Sequence, residues 1–195
     1  MVAKSAIACA LGFYAHTGWA VVVAMTRDLA PIYRGRVALL EGADAGYGHV
    51  YHLAKDAGSP SAAEKKIAAA IAESTKRART QIAALRKQLD PDVIACGVVL
   101  GNSRPLPSLE AILRSHAMIH TAEGVLYRNS LLDAARSEGL RATGFPAAAL
   151  AKHALRGRID ALRSRVGAPW NQDYRAAALA ALLALSAEST GTRTA

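Results

Sequence analysis

The chain has 195 residues, an apolar fraction of 52% and a formal net charge of +9. That length suits one domain with a sizeable core, and that apolar content excludes a chain disordered throughout. No run reaches the roughly 20 apolar residues of a membrane span, and a content of 2 cysteines argues against a disulfide-stapled scaffold.

The opening Met1–Lys4 lacks the form of a secretory signal, so a cytoplasmic location and no membrane partner are expected. Ser5–Ala10 reads as a short apolar strand, Leu11–Thr17 as a turn, and the valine-rich stretch Gly18–Met25 as a second strand. Thr26–Tyr33, with Asp28 and Pro31, reads as a loop before a third strand at Arg36–Leu40. Glu41–His52 combines glycines with acidic and imidazole groups and reads as a loop. Ala62–Leu89 carries an apolar stripe at helical spacing (Ile67, Ile71, Ile82, Leu85, Leu89) and stops at Asp90-Pro91. Val93–Leu100 is almost continuously apolar, as in a central strand. Ser108 caps a helical stretch reaching Arg136, with a break between Arg114 and His120. Leu140–Phe145 is a short strand, and Ala147–Leu162 is helical but weakened at Gly157. Asp173 opens the alanine-rich helix Tyr174–Leu185 and is a candidate N-cap. Residues 1–185 are expected to form a single domain, with 186–195 a flexible tail. The order β-β-β-α-β-α-β-α-α predicts an α/β fold, a mixed sheet with helices packed on it. Cys9 and Cys96 fall in apolar strand candidates and are expected to be buried free thiols.

Several side-chain groups could carry chemistry. His116, His120 and Glu123 share one helix face if the helix is continuous, and imidazole with carboxylate is a transition-metal donor set. Glu41, Asp44, His49 and His52 form a second cluster in a glycine-containing loop. His16 stands in the first hairpin. Trp19 and Trp170 read as packing anchors, Trp19 in the core and Trp170 fastening the last helix. Basic residues, Lys65, Lys66, Arg77 and Arg104 among them, are candidate nucleic-acid contacts.

The first hairpin Leu11–Val23 (LGFYAHTGWAVVV), the strand Asp92–Leu100 (DVIACGVVL), the stretch His120–Pro146 and the helix Asp173–Leu185 (DYRAAALAALLAL) together resemble the ribonuclease H-like superfamily. The layout is most similar to RuvC-type Holliday-junction resolvases. The resemblance implies a five-stranded mixed sheet, a three-strand antiparallel meander plus two parallel strands. It also implies metal-dependent phosphodiester hydrolysis, in which carboxylates gather the ions. The first-strand carboxylate would fall around Phe13 and the fourth-strand one around Gly97 or Val98, and neither strand holds an acid. Asp173 matches on the last helix, while Ala176 stands where a second acid would be. A lone Asp173 cannot hold two divalent ions. The expectation is therefore a noncatalytic binding or scaffolding protein with no catalytic residues and no cofactor. Its expected partners are DNA or RNA, a second copy, or another protein. The alternative is a divergent phosphodiesterase or nuclease using Mg2+ or Mn2+ at a relocated site that draws on His16, Glu41, Asp44 or Asp173.

Overall fold

The computed structural model describes residues 8–42, 48–101 and 105–187. The expected strand residues Ser5–Ile7, Asp44, Arg104 and most of the expected tail lie outside them. Five strands form one sheet: β1 Cys9–Ala15, β2 Trp19–Thr26, β3 Pro31–Ala38, β4 Val93–Leu100 and β5 Arg141–Pro146. Their order is β3-β2-β1-β4-β5. The meander β1–β3 is antiparallel, and β4 and β5 join parallel to β1. This is the expected mixed sheet. The helices are α1 Val50–Lys55, α2 Pro60–Gln88, α3 Leu109–Leu113, α4 His116–Ser137, α5 Ala147–Ala151, α6 Arg156–Ala161, α7 Arg163–Val166 and α8 Gln172–Ser186. Among the described residues, no helix is long and apolar enough to cross a membrane.

Alternation along the strands divides the core into two layers. Leu11, Phe13, Val22 and Val98 face α2 and α4, where Ile67, Ile82, Ile119 and Leu126 cover them. Ala10, Val21, Val23 and Val99 face α8, and Leu150, Ile159, Leu162 and Trp170 from the α5–α8 region complete that layer. Trp170 is fastened as expected, its indole N–H donating to the Ile159 carbonyl at 2.9 Å.

Several boundaries differ from the sequence reading. Most of the expected turn Leu11–Thr17 is strand: β1 runs on through Gly12 to Ala15, and the reversal is confined to His16–Gly18, with Gly18 at φ 80°. Gly12 marks a close backbone approach rather than a turn. β3 begins at Pro31, inside the expected loop, because an edge strand tolerates the missing N–H. The expected loop Glu41–His52 runs into α1, whose 6 residues are too few to show helical periodicity. α2 starts at Pro60 with Ser59 as its cap, the Ser59 hydroxyl accepting from Ala62 N. The anticipated break after Arg114 separates α3 from α4. Asp173 is not the N-cap of α8. Asn171 is, its side-chain oxygen accepting from the amides of Asp173 and Tyr174.

Cys9 and Cys96 are buried free thiols on neighbouring strands. Burial pushes Cys9 up to about 11, with Asp92 adding to it, and Cys96 up to about 12. The unfolded chain releases both protons near 9.0. Their contribution to stability is therefore complete below pH 9 and falls as pH rises toward those values. At pH 10 the loss is about 1 kcal/mol per thiol. Urea denaturation at pH 8 and pH 10 should show a smaller drop in Cys9→Ala and Cys96→Ala than in the parent. An identical drop in all three proteins would contradict it.

Candidate functional site

The first site to consider is the end of the sheet where β1 and β4 finish against α8. Side chains that share a metal with Asp173 must lie on the α8 side of the sheet. Phe13 and Val98 do not: they are register partners in the opposite layer, and both are fully buried. The α8-facing pair is Gly12 and Gly97, also register partners. A Cβ at Gly12 would stand 1.8 Å from the Ala177 carbonyl oxygen, and one at Gly97 would stand 2.2 Å from that of Ala180. Helix α8 thus rests its backbone directly on these two glycines. Its run Ala176–Leu182 is buried on every side. The abundance of alanine has its physical reason here, because small side chains allow the helix to come this close.

Above the glycine pair the tip opens. Asp173, in the first turn of α8, takes His16 at 3.1 Å, Nε2 to Oδ2. A carboxylate is favoured there by the positive end of the α8 dipole. His16 stacks on Trp19, with centroids 4.1 Å apart and planes 8° apart. Arg36 reaches the same indole from β3, its guanidinium carbon 4.3 Å from the ring centroid. Tyr14 stands next to His16, with centroids 5.2 Å apart. Burial raises the Tyr14 hydroxyl, Asp173 adds to this, and Arg128 opposes it. Burial pulls the Arg128 guanidinium down, with Tyr14 opposing. Trp19 packs against the α8-side core, as expected from its apolar strand, but that core does not enclose it. It is half-buried within a shelf of planar and cationic groups.

From this shelf a groove of about 490 Å³ runs past Trp19, Arg36, Glu41 and Arg77. It shares Leu40 and Glu41 with a second hollow that reaches Lys66. Lys65 and Lys66 are exposed on α2. Arg77 is half-buried and engaged by Glu41 and Glu73.

The candidate metal residues fall differently from their sequence grouping. His16 and Asp173 meet, whereas Glu41 pairs with Arg77. The loop histidines His49 and His52 leave Glu41 and join Glu123 and His120 of the other cluster, with His116 beside His120. Sequence spacing placed His116, His120 and Glu123 on one helix face. It gave no signal that α1 would lie across that face.

No protein-family model and no curated protein sequence matches the chain. Solved structures do. A Thermus thermophilus RuvC in complex with a Holliday junction substrate aligns at a TM-score of 0.50 with 11% identity, covering 89% of this chain and 90% of that one. A second T. thermophilus RuvC structure aligns at 0.45 with 12% identity, covering 89% and 91%. The fold is ribonuclease H-like, in the RuvC layout. In this chain the Gly12–Gly97 pair lies under α8, with the His16–Asp173 pair above it.

Proposed function

We propose that this chain is a noncatalytic ribonuclease H-like domain that binds nucleic acid at the β1–α8 end of its sheet. The observation that carries this reading is the Gly12–Gly97 pair. Neither residue has a side chain to ligate a metal, and α8 leaves no room for one. The remaining acid, Asp173, is engaged by His16. Nucleic acid as partner is supported by the charge of +9 and by the shelf, where stacked rings and the Arg36 guanidinium match base faces and phosphates. The RuvC relative held on a Holliday junction makes branched DNA the first ligand to try.

Fluorescence anisotropy with labelled four-way junction, duplex and single strand tests the proposal. Binding at low salt is expected, with log affinity falling linearly as log salt rises. Background affinity for all three at low salt would reject nucleic acid and leave a second copy or another protein as the partner.

The competing reading is a phosphodiesterase with a relocated centre. The convergence of His49, His52, His120 and Glu123 is the observation in its favour. That donor set is rich in imidazole, whereas Mg2+ prefers oxygen ligands.

A further inference from the structure

We infer that His49, His52, His120 and Glu123 form a zinc-class metal site that clamps α1 onto α4. The site shares no residue with the His16–Asp173 pair and is independent of the nucleic-acid reading. His49, at the N-cap of α1, and His52, within it, come from one side, and α4 supplies His120 and Glu123 from the other. One ligand atom from each residue lies within 4.8 Å of all the others.

The distances suit a tetrahedral ion. Bonds of about 2.0–2.1 Å at tetrahedral angles set donors about 3.3 Å apart. The Nδ1 atoms of His49 and His120 lie 3.4 and 3.7 Å from Oε2 of Glu123, and that of His52 lies 2.9 Å from its Oε1. Three imidazole nitrogens and one carboxylate oxygen select zinc, cobalt or nickel over magnesium or calcium.

Charge makes the second argument. Glu123 is only 1% exposed. Among the described residues its ion-pair partners are imidazoles, with no lysine or arginine. A buried carboxylate without a countercharge is costly, and a bound dication removes that cost.

The surroundings hold the ligands in place. The outer nitrogen of His120, Nε2, lies 3.1 Å from Nε2 of His116, the kind of outer contact that fixes a ligating ring. Tyr127 donates its hydroxyl proton to the Gly48 carbonyl and so anchors the backbone entering His49 from α4. Helix α1 has 6 residues, and its N-cap His49 makes no side-chain capping bond. Such a helix is marginal by itself. Four protein donors fill a tetrahedral shell, so the ion acts as a structural clamp with no open position.

Tag-free protein, saturated with zinc and dialysed, would be assayed for metal by mass spectrometry and for melting temperature. One zinc per chain is expected, together with a higher melting temperature that chelator reverses. Cobalt in its place should give the visible bands of a four-coordinate ion. His52→Ala and His120→Ala, checked for folding by circular dichroism, should each lose the bound metal. His116→Ala should keep the stoichiometry and weaken affinity by roughly 10–100-fold. Millimolar Mg2+ should leave the melting temperature unchanged. A folded parent that retains no zinc and melts alike in zinc and chelator would overturn the site and make the cluster a hydrogen-bonded imidazole–carboxylate network. Equal zinc retention by parent and His52→Ala would overturn it as well.

Discussion

Alanine at Gly12 or Gly97 is expected to destabilise the fold by more than about 3 kcal/mol, above the usual range for overpacking a core. The atoms that the new Cβ would meet are backbone: the Ala177 carbonyl oxygen at 1.8 Å and the Ala180 carbonyl oxygen at 2.2 Å. No rotamer change relieves such a contact, so the whole of α8 must lift. That helix is buried over Ala176–Leu182, and lifting it opens the layer beneath Leu150, Ile159 and Trp170. Gly157 is the internal control. It lies in α6 with nothing within 4 Å of a built Cβ, so Gly157→Ala should be neutral or stabilise by about 0.5–1 kcal/mol. Urea denaturation of the three variants measures this. A loss below about 1 kcal/mol at Gly97 would mean that α8 does not rest on the glycine pair.

Trp19→Ala is expected to lower affinity for nucleic acid by about tenfold or more at fixed salt, the usual effect of removing one stacking ring. Trp19 is the centre of the shelf, touched by His16 from the β1 end and by Arg36 from β3. Because the indole carries no charge, the salt dependence should keep its slope. Arg36→Ala should weaken binding and also reduce that slope by about one phosphate contact. Anisotropy titrations across salt separate the two effects. Unchanged affinity in Trp19→Ala would remove the shelf from the interface.

The sheet was readable where its signals were local. Valine-rich β2 and continuously apolar β4 announced themselves, and the meander followed by alternating helices and strands gave the topology. Gly12 misled because glycine carries two meanings, a turn or a close approach, and only α8, more than a hundred residues away, decides between them. Pro31 misled because its tolerance depends on β3 lying at the sheet edge. The absence of acids on β1 and β4 was legible by inspection. Their facing was not: the sequence points to Phe13 on β1 and to Gly97 or Val98 on β4, and of these Phe13 and Val98 turn toward α2 and α4, while Gly97 turns toward α8 with its partner Gly12. Half of the histidine cluster was visible as spacing on α4. The other half required α1, a helix too short to show periodicity, to pack against it.

The central claim is binding without cleavage. Its most direct test is a single-turnover assay with protein in excess over a labelled four-way junction, in Mg2+, Mn2+ or Zn2+, with complex formation followed in the same samples. The account predicts a junction that is bound and uncut in every metal. Metal-dependent cleavage that copurifies with the protein and disappears in Asp173→Asn would contradict it.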